Sequence, residues 1–346
     1  MKKTLGLSIL LGSVVVAMSA IQAAEQQPLQ KPEWAYGVPP PRAPGEPAPA
    51  PVRDDGKMLS IAGSDRTFTL NQVRGRRDND TPARIQPADW FPGDHPTMPK
   101  IVAEGDDGRG IVACSLCHYP NGKGRSENAS PAGLPKEYIV RQLHNMRDNL
   151  RASAERRKAN TQAMVSFAKA MTEDEIQQAA TYFSSMKWTP WIKVIESENA
   201  PKVRSAGGLY IALEGADAGT EPLAGRIVEV PVNAEHTETL RDPHSPFIAY
   251  VPVGSVEKGK DIVTTGAGRT TQCTLCHGAD LNGIGSVPGI AARSPSYIAR
   301  QLNDIQQGAR HGDMAELMKG VVAKLTVDDI TNITAYLASL PAPAGG

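Results

Sequence analysis

All four cysteines of this 346-residue chain lie in two C-x-x-C-H units, Cys114-Ser115-Leu116-Cys117-His118 and Cys273-Thr274-Leu275-Cys276-His277. Two thiols three positions apart on a helical turn share one face, and a histidine follows directly. Four chemistries use such a pair. A redox dithiol normally follows a strand in a βαβ unit and has no need of the histidine. A Cys₄ zinc site would have to unite pairs 159 residues apart, from 114 to 273. A disulfide between such close neighbours is strained. Covalent haem c accounts for every residue: Cys114, Cys117, Cys273 and Cys276 as thioether anchors on the porphyrin vinyl groups, with His118 and His277 as axial iron ligands. The expected cofactors are two haem c groups.

The elements that must hold these groups are written twice. A shift of 159 places Cys114 on Cys273 and carries "EYIVRQLHNMRDNLR" from Glu137 onto "SYIARQLNDIQQGAR" from Ser296. Tyr138 meets Tyr297, Arg141-Gln142-Leu143 meets Arg300-Gln301-Leu302, and Arg151 meets Arg310. Such self-similarity marks an internal duplication. Apolar residues recur at helical spacing in both copies: Ile139, Leu143, Met146 and Leu150, then Ile298, Leu302 and Ile305. A last helix opens at Thr172-x-x-Glu175, a capping box, and at Thr326-x-x-Asp329, a weaker form of it. Aligned on these threonines, Met164 coincides with Met318. A thioether is a soft ligand suited to iron in its reduced state, so these two methionines are the candidate sixth ligands. Met146, Met171 and Met314 have no methionine counterpart and read as packing; His95, His144, His236, His244 and His311 have no histidine counterpart and read as surface or structural.

Taken together, "CSLCH" and "CTLCH", "YIVRQL" and "YIARQL", the two methionines, and "TEDEIQQAATYFSSM" with "TVDDITNITAYLASL" resemble the dihaem class I cytochromes c of the cytochrome c4 kind. The resemblance implies a mainly α fold of two tandem class I cytochrome c domains; the long connector between them holds "GLYIAL", "AGRIVEVPV" and "FIAYVPVGS", alternating or β-branched runs that predict a few short β-strands. It implies single-electron transfer between a redox donor, such as an exported dehydrogenase, and an acceptor such as an oxidase or another cytochrome, with a membrane redox complex among the candidate partners. It also implies a proline whose carbonyl orients the proximal imidazole. Pro288 holds that place at the second site, whereas Ala129 holds it at the first and Pro131 is displaced, which leaves that bond open there. The rival is a peroxidase-like dihaem enzyme with one exchangeable site. The paired methionines weigh against it, and the absence of a fifth cysteine weighs against a thiolate-ligated sulfur-oxidising enzyme.

Outside the duplicated parts, Lys2 and Lys3, the apolar run from Leu5 to Met18 and small residues before Glu25 describe a secretory signal over 1–24, cut near Ala23 or Ala24. The run is shorter than the ~20 apolar residues that span a membrane, and an uncleaved anchor is the alternative. The expected compartment is the periplasm. Residues 25–98 form a Pro-rich arm and loop region, in which Trp90 and Phe91 either anchor the loop or shield a cofactor edge. The first domain is expected over 99–187 with a short opening helix, the connector over 188–255, and the second domain over 256–341. Lys plus Arg and Asp plus Glu both number 37, which gives no electrostatic reason to expect nucleic acid as a partner.

Overall fold

The computed structural model describes residues 30–341 apart from Glu46, Ala48 and Pro49, so the secretory signal lies outside the described residues. Two helical domains account for most of it. The first contains α2 (Lys100–Ala103), α3 (Cys114–His118), α4 (Lys136–Arg147), α5 (Ala159–Ala170) and α6 (Glu173–Ser184), preceded by a short α1 (Leu70–Val73). The connector carries α7 (Ala234–Glu238), and the second domain contains α8 (Ser255–Thr265), α9 (Thr274–His277), α10 (Pro295–Gln306), α11 (Asp313–Val322) and α12 (Val327–Ser339).

The helices start where the sequence supplies caps. Thr172 accepts a hydrogen bond from the Glu175 amide at 3.3 Å, and the Glu175 carboxylate accepts one from the Thr172 amide at 2.8 Å. Thr326 and Asp329 close the same reciprocal box, at 3.0 and 3.1 Å, so the shorter aspartate suffices. Behind the caps, the apolar stripe of α6 (Ile176, Ala180 and Phe183) and that of α12 (Ile330, Thr334 and Leu337) are buried. The opening helices differ as expected: α2 has four residues and α8 eleven. In α8, Gly259 lies so close to α12 that a Cβ there would stand 1.9 Å from the Asn332 carbonyl oxygen and 2.8 Å from the Tyr336 Cβ. Only a residue without a side chain permits that approach.

The residues matched by the 159-residue shift meet at the junction of the domains. Arg151 donates to Tyr297 and Gln301 of the second domain at 3.1 and 2.8 Å, and Arg310 donates to Tyr138 and Gln142 of the first at 3.2 and 3.0 Å. Backbone bonds from Ala152 N to Ala309 O and from His311 N to Leu150 O, both 2.8 Å, complete the reciprocal contact. The arm contributes more than an extended strap. Trp34, Ala35 and Tyr36 are buried against the second domain's core. The Tyr36 hydroxyl donates to Asp304 at 2.9 Å, Arg300 donates to the Ala35 carbonyl at 2.6 Å, and Lys158 donates to the Tyr36 carbonyl at 3.0 Å. Beyond Pro39 the arm is exposed as far as Arg53 wherever it is described.

The connector folds into short strands. Phe247–Val251 is the central one, antiparallel to Val228–Pro231 and parallel to Ile192–Glu196, and two-stranded pairs join 199–201 to 220–222 and 203–206 to 209–212. Within the loop region a short hairpin forms from Leu59–Ser60 and Thr67–Phe68. Trp90 is an anchor: its indole is buried with Ile61, Val73 and Leu240 and donates to the Leu240 carbonyl at 2.8 Å. Phe91 stacks on His244 with ring centroids 4.0 Å apart.

Candidate cofactor sites

At the first site, Ile111–Val112 pairs with Gly105–Asp106 and delivers the chain into α3, a single helical turn that sets Cys114, Cys117 and His118 on the wall of one cavity. Leu134, Ile139, Leu143, Phe167, Met171 and Phe183 give that cavity its apolar lining, and Met164 of α5 faces into it as well. The second domain contributes Tyr297, Arg300, Gln301 and Asp304 to the same wall. Sequence reasoning did not place those four at the first site, although the identity of "YIVRQL" and "YIARQL" on residues that include polar ones was the available signal.

The His118 Nδ1 lies 2.9 Å from the Ala129 carbonyl oxygen, and His277 Nδ1 lies 2.8 Å from that of Pro288. An N–H at Nδ1 donating to a carbonyl fixes the tautomer and leaves the Nε2 lone pair available to a metal. The displaced proline therefore does not cost the first site this bond: the acceptor is backbone, and alanine presents it as proline does. Burial holds both imidazoles below their usual range, in the neutral ligand form.

At the second site, the hairpin of Gly283–Ile284 and Val287–Pro288 brings the Pro288 carbonyl to His277. Cys273 and Met318 of α11 both pack, partly buried, against the second domain's core, while Cys276 is exposed. Burial pushes the Cys114 thiol up to about 12 and the Cys273 thiol up to about 11, the reverse of what a reactive dithiol requires. Among the described residues, no three His, Cys, Asp or Glu side chains gather as metal ligands, so the two cysteine pairs do not form one zinc site. The remaining histidines have local partners: His95 with Asp89, His144 with Glu173, His236 with Asp242, His244 with Asp94, and His311 with the Gly308 carbonyl.

Each donor set suits haem c: two thiols and an imidazole from one turn, a thioether in the same domain, and apolar walls. Among the described residues no helix is long and apolar enough to cross a membrane.

The cytochrome c family model matches the chain twice, over residues 105–187 and 256–341. A cytochrome c4 of Azotobacter vinelandii is 31% identical over 164 residues, which cover 41% of this chain and 77% of that protein. A thiosulfate dehydrogenase electron acceptor of Stutzerimonas stutzeri (strain A1501) is 22% identical over 244 residues, covering 70% of this chain and 85% of its own. Among solved structures, a thiosulfate dehydrogenase of Marichromatium purpuratum superposes with a TM-score of 0.46 at 25% identity, over 71% of this chain and 40% of that one. With paired attachment cysteines in two domains that each match the family, this chain belongs to the cytochrome c family, as a cytochrome c4-like dihaem electron-transfer protein that binds haem c through Cys114 and Cys117 and through Cys273 and Cys276.

Proposed function

We propose that the protein is a periplasmic carrier, exported by its N-terminal signal, that takes single electrons from an exported dehydrogenase and passes them to an oxidase or another cytochrome. The domains run over 99–187 and 256–341, His118 with Met164 and His277 with Met318 are the axial pairs, and Pro288 orients His277. When bound, haem c supplies a one-electron iron couple. The protein's part is to keep that couple six-coordinate and to hold the two sites together. The observation that carries the reading is the reciprocal junction: Arg151 and Arg310 each cross to the other domain, and Tyr297, Arg300 and Gln301 line the first site's cavity. Residues that belong to one domain thereby wall the cofactor of the other, which favours electron exchange inside the molecule. The same guanidiniums and phenols are the groups that would hold the porphyrin carboxylates. Relatives described as electron acceptors of thiosulfate dehydrogenase support a dehydrogenase as donor.

The ligand assignment is tested by the weak near-infrared sulfur-to-iron band of the oxidised protein. Met164→Leu and Met318→Leu should each remove about half of it. Met171→Leu, which alters the same cavity, should leave it intact. A full-strength band in Met164→Leu would show that another residue, Met171 first, is the ligand.

A further inference from the structure

The two attachment helices sit in different surroundings. Leu116 of α3 is 9% exposed, and its counterpart Leu275 in α9 is 62% exposed. The difference comes from the connector. Arg241 donates to the Leu116 carbonyl at 2.7 Å, Asn121 donates to that of Pro243 at 3.1 Å, and Arg125 donates to that of Thr237 at 3.2 Å. Residues 237–243 thus close over the first attachment turn. In the second domain the position of Arg125 is taken by Ile284, which is 58% exposed.

This cover also brings charge. Arg241 sets its guanidinium against the attachment turn at the Leu116 carbonyl, and Arg125, held by the Thr237 carbonyl, is paired at 2.5 Å with Glu127, whose carboxylate opposes its charge. The arrangement is held against backbone strain. Tyr119, directly after His118, has φ 62° and ψ 156°, a conformation that the second domain gives to Gly278 at φ 90° and ψ 155°. Arg241 also has a positive φ, 50°. A non-glycine residue in such a region is strained and persists where its surroundings over-determine it. The Tyr119 ring is buried, with the Arg125 guanidinium 5.9 Å from its centroid.

We propose that this connector cap makes the first site the electron sink of the pair: Arg241 and Arg125, held under cover beside Cys117, raise the potential of the iron bound by His118 above that of the iron bound by His277. Oxidised iron carries one positive charge more than reduced iron, so nearby cations and exclusion of water both favour the reduced state. One electron leaves the second iron, which becomes ferric, and reduces the first, which becomes ferrous; no proton is required. The exposed second site is then where electrons enter. This inference rests on the electron-carrier reading.

The test is a potentiometric titration of the holoprotein followed optically, on wild type, Arg241→Gln, Arg241→Lys and Glu127→Gln. Two one-electron waves are expected in wild type. Arg241→Gln should lower the higher wave so that the equilibrium constant for sharing the electron falls about tenfold, ~59 mV, while the lower wave stays. Arg241→Lys should leave both waves in place, and Glu127→Gln should move the higher wave up. The proposal is overturned if Arg241→Gln moves the lower wave or neither wave, or if Arg241→Lys shifts the higher wave as far as Arg241→Gln does. Haem content and the low-spin spectrum, recorded on the same samples, report separately on the carrier reading.

Discussion

Individual residues here act through atoms that their side-chain type does not always disclose. His118 and His277 are oriented alike although one leans on alanine and the other on proline, because each bond ends on a backbone carbonyl. Pro288→Ala should therefore keep the low-spin spectrum and cost stability only through the freer unfolded chain, about 0.4–1 kcal/mol in a denaturant melt. A high-spin signal in that variant would show that the proline ring itself is required. Lys158 makes a prediction in pH. Its ammonium is buried at the junction, and desolvation, chiefly, brings it down from 10.5 to about 7. The unfolded chain then binds more protons than the folded one between roughly pH 7 and 10.5, so this residue makes stability rise with pH across that window. Lys158→Met should remove the slope in denaturant titrations at pH 7.5 and 9.5. An unchanged slope would assign it to another group.

Helix-scale features were largely readable from the chain. The cap residues, the apolar stripes of α4, α6, α10 and α12 and the short α2 follow from local spacing, and local rules act within a few residues. Thr172→Ala should cost about 1 kcal/mol, as cap deletions do. Gly259→Ala should cost more, on the order of 1–3 kcal/mol, because its Cβ would meet the Asn332 carbonyl and push α8 off α12. If the alanine variant melts like wild type, the two helices do not approach as closely as described here. What was not legible depends on distant partners. "EWAY" in a proline-rich arm gave no sign that Tyr36 would bond Asp304, 268 positions away. Local pattern marked the connector strands but not their pairing, since the Phe247–Val251 strand pairs in parallel with residues some 55 positions earlier.

Across the whole molecule, the doubled motif means more than two copies of a site. Arg151 and Gln142 face Gln301 and Arg310 across the junction, so these four side chains form one network. Arg151→Ala and Arg310→Ala should accordingly be non-additive, with a coupling of about 0.5–3 kcal/mol in a double-mutant cycle. Strict additivity would mean that the two arginines act independently. The candidate site was legible in its cysteines and histidines because the C-x-x-C-H spacing is local, and Met164 and Met318 emerged only by comparing the two halves. The part of the first site's wall made by Tyr297, Arg300, Gln301 and Asp304 was hidden because it comes from the other domain. The optical spectrum of the reduced holoprotein before and after carbon monoxide distinguishes two closed electron-transfer sites from an open one. Two closed sites give low-spin bands from both haems that carbon monoxide leaves unmoved; rapid binding at either haem would contradict closure and point to a site built for ligand chemistry.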